Sequence, residues 1–186
     1  MKKFTFLIAL VIMTLTNSNQ VHAQSNPKKI LVAYFSHSGN TTEMATQIKN
    51  ATGGDIFVIQ PVKSYPTEYQ AVTDQAKREI NTGLKPTLTA KVGNIDAYDV
   101  IFVGSPNWWS TIAPPVATFL SNYDLSGKTI VPFITHEGSR MGRSVSDIKK
   151  LCPKSKVLDG LPIRGSAVGR SNDEVVKWLR NIEMIK

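Results

Sequence analysis

Three short stretches, each following an apolar run, hold the residues best suited to chemistry. The first is Ser36-His37-Ser38-Gly39-Asn40-Thr41-Thr42. It offers four hydroxyls, one amide and a glycine, with no Lys or Arg among them. Where such a turn opens a helix, its free N–H groups form an anion site suited to a phosphate. Neutral donors alone would then hold that anion. The turn is not a dinucleotide GxGxxG, and the Gly127-Lys128-Thr129 run has Asn122 where a P-loop needs its first glycine. The second stretch, Gly104-Ser105-Pro106-Asn107-Trp108-Trp109, sets two adjacent indoles in a Pro- and Ser-bearing segment. Adjacent side chains of an extended segment point opposite ways, so one indole can pack inward while the other faces a flat aromatic ligand. The third, Thr135-His136-Glu137-Gly138-Ser139, continues through Arg140 and Met141 to Gly142 and combines polar atoms with backbone freedom. No residue in the set need act as a covalent nucleophile or a general acid, so no catalytic residue is assigned. No metal site is assigned either. One Cys and three His, with no CxxC, exclude a zinc ribbon or a Cys-ligated iron–sulfur cluster. Cys152, next to Pro153, reads as structural.

Elements of alternating type must position these stretches. Lys29–Ser36 is a continuous apolar run of the kind buried on both faces in a parallel sheet. Val100–Gly104, Thr129–Thr135, the weaker Lys156–Leu158 and Asp55–Gln60 make five expected strands. Between them lie helical patterns. Asn40 with Glu43 fits a capping box, and Met44, Ile48 and Ala51 line the face that follows. Thr67–Gln70 starts a second helix with Tyr69, Val72, Ala76 and Ile80 as its apolar stripe and Gly83 as its stop. Pro114 and Pro115 suit the first turn of a third, Ser144–Leu151 forms a fourth, and Ser171 with Glu174 caps a fifth. Strands separated by helices imply βαβ units and a three-layer, doubly wound domain, whose ligands sit beyond the carboxyl ends of the strands.

The ordered set SHSGNTT, GSPNWW and THEGS, at the ends of successive buried strands, resembles the flavodoxin-like family from about Lys29 to Ile185. The YPTEY stretch at Tyr65–Tyr69 and Ala113-Pro114-Pro115 are similar to one subgroup of it. The resemblance implies a three-layer α/β/α sandwich with a five-stranded parallel sheet in 2-1-3-4-5 order and non-covalently bound FMN. It also implies that Ser36, His37, Ser38, Gly39, Asn40, Thr41 and Thr42 wrap the FMN phosphate. Pro106, Asn107, Trp108 and Trp109 would form one wall of the isoalloxazine site, and Thr135, His136, Glu137, Gly138 and Ser139 its other edge. The function implied is electron transfer through FMN, to or from a redox partner protein or a small-molecule acceptor. An FMN-dependent NAD(P)H:quinone-type reductase is the alternative, and a non-redox binding domain on the same fold the third reading. No Tyr lies between Thr135 and Gly142, where flavodoxins proper often stack one. One ring face is therefore open to a substrate, or covered by His136 or Met141.

The N-terminal segment reads differently. Lys2 and Lys3 precede an apolar run from Phe4 to Leu15, too short for a spanning helix, and Val21-His22-Ala23 suits a signal peptidase. Residues 1–23 are thus expected to be a secretory signal peptide, 24–28 a tail and 29–186 the domain. The expected location is periplasmic or extracellular, with no stable membrane anchor after cleavage. Losing Lys2 and Lys3 lowers the formal charge from +8 to +6. The remaining basic residues are scattered and not interleaved with aromatics, so no nucleic-acid partner is expected. Flavodoxins proper are strongly acidic, and a basic chain does not suit their basic partners.

Overall fold

The computed structural model describes residues 28–186. The signal peptide and most of the tail expected from the sequence lie outside the described residues. The first strand, β1 (Ile30–Tyr34), is buried along its whole length. It pairs in parallel with β2 (Asp55–Val58) on one side and β3 (Val100–Trp108) on the other. Past β3 lies β5 (Thr129–His136), again parallel. The final position of the sheet is shared by two short strands, β6 (Lys156–Val157) and β7 (Leu161–Arg164), which both pair with β5. The order is therefore β2-β1-β3-β5 followed by β6 and β7, which is the expected 2-1-3-4-5 when the parallel positions alone are counted, with the fifth strand broken in two.

Helices cover both faces. Helices α1 (Asn40–Thr52) and α5 (Asn172–Asn181) pack on the side of Val32, Phe102, Val131 and Phe133. On the opposite side α3 (Pro114–Ser121) and its neighbours pack over Leu31, Ile101, Val103 and Ile134. The remaining helices are α2 (Tyr69–Thr82) and α4 (Ser144–Leu151). Strands buried on both faces explain the unbroken apolar runs. Cys152 closes α4 and is buried, which pushes its thiol up to about 11.

Local chemistry departs from the sequence expectation at three places. Asn40 is not the cap of α1. It is the first helical residue, and Gly39 takes the cap position at φ 93° with no side-chain cap bond. A left-handed φ is open to glycine at little cost, so the turn is set by Gly39 rather than by a capping box. Tyr69 is not part of the inward stripe of α2 but 78% exposed, while Val72 and Ala76 are buried. Glu68 caps that helix instead, its carboxylate accepting the Gln70 and Ala71 N–H groups. Ser171 precedes α5, but its hydroxyl donates to Gln47 and to the Val168 carbonyl rather than capping the helix.

Candidate functional site at the carboxyl edge of the sheet

The three stretches meet where β1 and β3 diverge to opposite sides of the sheet, the switch point of a doubly wound fold. Thr41, at the first turn of α1, is buried, and its hydroxyl lies 2.8 Å from that of Thr135 at the end of β5. This hydroxyl pair joins the first stretch to the third. Behind Thr41, the Ser36 hydroxyl accepts the Gly39 N–H at 3.2 Å and holds the turn shut. The first-turn N–H groups of Asn40, Thr41 and Thr42 have no acceptor further back in the helix. With no side-chain cap to take them, this donor set fits a phosphate.

His37 leaves the turn and donates its Nε2 proton to the Pro66 carbonyl at 2.8 Å. It thereby ties down the segment between β2 and α2. On that segment Tyr65 is buried, with its ring edge-on to Trp108 at 4.9 Å and tilted against Phe35 at 5.7 Å. The Tyr65 hydroxyl donates to Glu79 of α2. Burial first, and then that carboxylate, hold the phenol far above its ordinary pKa, so it stays a proton donor. The site reading by sequence omitted Tyr65. The YPTEY stretch is its signal, since a buried Tyr brings a large apolar ring together with a hydroxyl that needs a partner.

The second stretch is not a free loop. β3 runs on through Trp108 and turns back into β4 (Thr111–Ile112), with Trp108 opposite Thr111. The two turn residues, Trp109 and Ser110, have φ 52° and 65°. Both positive angles are those of a type I′ hairpin turn, and here neither residue is the usual Gly or Asn. The strain is held from both sides. The Trp109 indole N–H donates to the Thr73 carbonyl of α2 at 2.9 Å, and Lys77 sits 4.6 Å above its ring. Ser110 offers its carbonyl to the Arg143 N–H at 2.8 Å. Gly142 passes so close that a Cβ there would lie 2.4 Å from the Ser110 oxygen. The two indoles therefore diverge. Trp108 faces His37, Phe35 and Tyr65, whereas Trp109 lies on α2 and is 47% exposed.

In the third stretch, Glu137, Gly138 and Ser139 are exposed and His136 is half-buried. Met141 turns towards Gly160, where a Cβ would meet its methyl at 2.5 Å. It serves as packing beside β5. The Asn107 amide donates to the Arg140 carbonyl at 2.8 Å, which fixes the direction of its oxygen. That oxygen and His136 Nδ1 are both buried without a partner among the described residues. Unpaired buried polar atoms are uncommon in native proteins. Two at one edge of one sheet suit a ligand that carries its own polar ring atoms.

Burial and then the Arg140 guanidinium hold the His136 pKa below its ordinary value, with Arg164 adding to this and Glu137 opposing. The imidazole is therefore neutral at pH 7. A His with a depressed folded pKa contributes stability above the unfolded pKa, which is lost as pH falls through the folded value. Acidification from pH 7 to pH 5 is thus expected to destabilise the protein more than it does His136→Gln. Chemical denaturation of both at the two pH values checks this. An equal loss in the variant would show that His136 is not responsible.

Two shallow clefts lie away from this edge, lined by Lys28, Tyr98 and Asp99 in one case and by Tyr123, Leu151 and Cys152 in the other. Neither holds convergent functional groups. Among the described residues no group of His, Cys, Asp or Glu is placed to hold a metal ion.

Comparison with known proteins agrees with the geometry. Residues 29–182 match the model of the flavodoxin family. A candidate flavoprotein from Bacteroides eggerthii is 33% identical with a TM-score of 0.75, the match covering 84% of this chain and 98% of that one. A flavoprotein from Lactobacillus acidophilus, solved in complex with FMN, is 26% identical with a TM-score of 0.63, over 77% and 97% of the two chains. A flavodoxin from Fusobacterium nucleatum, bound to flavin mononucleotide, shares the fold at a TM-score of 0.56 and 12% identity, over 84% and 97%. No curated protein matches the chain. With the sheet order, the switch-point site and a family match spanning nearly all of the described residues, the chain belongs to the flavodoxin family.

Proposed function

We propose that this protein is an FMN-binding redox protein that passes electrons between a partner and a non-covalently held flavin. The observation that carries this reading is the uncapped start of α1, with the buried Thr41–Thr135 hydroxyl pair, set beside an aromatic cluster at the switch point. FMN supplies the redox chemistry when bound, and the chain binds, orients and shields it. The first-turn amides and the hydroxyls of Ser38, Thr41 and Thr42 take the phosphate. The Trp108 side of the hairpin and the end of β5 border the ring. Asn107 and His136 present polar atoms to its edge.

Titration of the apo-protein with FMN and with riboflavin tests the reading. FMN should bind tightly in the micromolar range or better, and riboflavin much more weakly, because it lacks the phosphate. No binding of either would overturn the proposal.

A reductase reading is favoured by one observation. No Tyr stands in the third stretch and Met141 is packed against Gly160, so neither covers the ring from that side. Steady NAD(P)H oxidation by the loaded protein with a quinone would select the reductase. Flavin reduced only through a partner reductase would select the carrier. We further propose that the chain is exported. A cleaved N-terminus at Gln24 in protein recovered outside the cytoplasm is the expected result, and an intact Met1 on protein retained inside would count against it.

A further inference from the structure

The sheet ends in short strands on both sides, and one of them, β2, carries exposed apolar side chains. Ile56 is 42% exposed and Val58 47%, in a strand that pairs with β1 alone. In that pairing Ile56 lies level with Val32 and Val58 with Tyr34. Both side chains therefore stand on the sheet face that α1 covers further in, and α1 leaves them open to solvent.

The main chain of the same two residues is open as well. The register with β1, together with the Ile59 N–H donating to the Tyr34 carbonyl, turns the peptide groups of Asp55, Phe57 and Ile59 towards β1. Alternation along a strand then turns the N–H and C=O of Ile56 and Val58 outward. Among the described residues no other segment bonds to them, and the window closes at Gln60, whose carbonyl accepts the Thr89 N–H. Edge strands are commonly blocked by a lysine, a proline or a bulge. Asp55–Gln60 has neither Lys nor Pro, and its pairing with β1 runs without a bulge. Its one charge, Asp55, accepts the Tyr98 hydroxyl at 2.8 Å.

We infer that the edge of β2 is an interaction surface for a second copy of this chain, joined antiparallel about a twofold axis at Phe57. The register argues for this occupant. Such an axis sets Ile56 of each copy opposite Val58 of the other, and a pair of that kind exchanges both of its main-chain hydrogen bonds. The outward groups of Ile56 and Val58 thus meet their complements with none left over. The same axis brings the Ile56 and Val58 side chains of both copies together on one face as two apolar cross-strand pairs. Asp55 falls opposite Ile59, so no charges face each other along the joint. An unrelated extended peptide would satisfy the main chain alone, whereas the second copy also supplies the matching side chains. The joint is smaller than a stable dimer interface, so association is weak and reversible. The axis points the two carboxyl edges in opposite directions and leaves both candidate flavin sites open. The inference does not depend on what those sites hold.

Sedimentation velocity of the FMN-loaded protein, from roughly 10 μM to roughly 1 mM, tests this over the range of a weak interface. The mass should rise from monomer towards dimer and stop there. Ile56→Lys and Val58→Glu should each weaken association roughly tenfold or more, by setting a charge against an apolar partner. Mixed in equal amounts, the two variants should associate again, because the register places the two introduced charges opposite each other. Val58→Pro removes an outward N–H that β1 does not use and should also stay monomeric. Leu84→Lys adds the same charge as Ile56→Lys at an exposed position past α2, and should dimerise like the parent. FMN binding and thermal melting of each variant establish that it is folded. A parent that stays monomeric to the highest concentration, or grows past the dimer, overturns the inference. So does equal loss in Leu84→Lys, a folded Ile56→Lys or Val58→Pro that dimerises like the parent, or a mixture of Ile56→Lys and Val58→Glu that stays apart.

Discussion

Thr41→Ala is expected to weaken FMN binding by about 10- to 100-fold, the loss of one hydrogen bond to a charged group. Thr41 is 1% exposed, so its hydroxyl has no bulk water to fall back on. Its bond to Thr135 makes the two hydroxyls a relay. If Thr41 donates to the phosphate, it accepts from Thr135, and each bond polarises the other. Removing Thr41's oxygen also strands the Thr135 hydroxyl in a buried position. Thr41→Ser should keep most of the affinity. Trp108→Phe should cost less than Thr41→Ala, because aromatic pairing adds only about 0.5–1.5 kcal/mol beyond area burial. Fluorescence titration of the apo-proteins with FMN and riboflavin separates these effects. Thr41→Ala should narrow the gap between the two flavins, and Trp108→Phe should leave it. The reverse ranking would place the binding energy in the ring rather than in the tail.

The second large effect concerns the sheet itself. Gly104→Ala should destabilise the protein by about 3 kcal/mol, at the upper end of ordinary overpacking. Gly104 lies in β3 between Tyr34 of β1 and Phe133 of β5. A Cβ there would stand 2.2 Å from the Phe133 ring and 2.7 Å from the Tyr34 Cβ. Phe133 is fully buried, so its ring cannot swing into solvent. A loss of that size lowers the melting temperature by roughly 6–12 °C in a chain of this length. Adding Phe133→Leu should recover part of it, and urea unfolding of the three proteins reads the result. A loss below about 1 kcal/mol would mean that the ring moves aside easily, contrary to the close packing expected of a core.

Much of this architecture is written plainly in the sequence. Apolar runs buried on both faces announce β1, β3 and β5 because a parallel central strand has no polar face to show. Pro114, Gly83 and Pro153 mark helix ends through backbone geometry that no distant contact overrides. The features that escape depend on partners far away in the chain. β7, Leu161–Arg164, is four residues long and carries a proline, so its pairing with β5 has no local signature. The β3–β4 hairpin is hidden because Trp109-Ser110 is a poor turn sequence, held left-handed by α2 and by Gly142. Asn40 and Glu43 look like a capping box, yet Gly39 one residue earlier sets the turn. At the site, the three stretches were legible by type and order. The Thr41–Thr135 bond spans 94 residues, and the fixing of Asn107 by the Arg140 carbonyl involves no side chain of Arg140 at all. Neither could be read locally.

Cys152, sealed at the end of α4, bears on how the chain would meet oxidants if it is exported as proposed. Burial pushes the thiol up to about 11, so it stays protonated at neutral pH, and the sulfur itself is buried. Thiol–disulfide exchange needs an accessible anion. The folded protein should therefore neither crosslink with its own copies nor enter mixed disulfides with oxidoreductases, and would run as a single reduced species on a non-reducing gel.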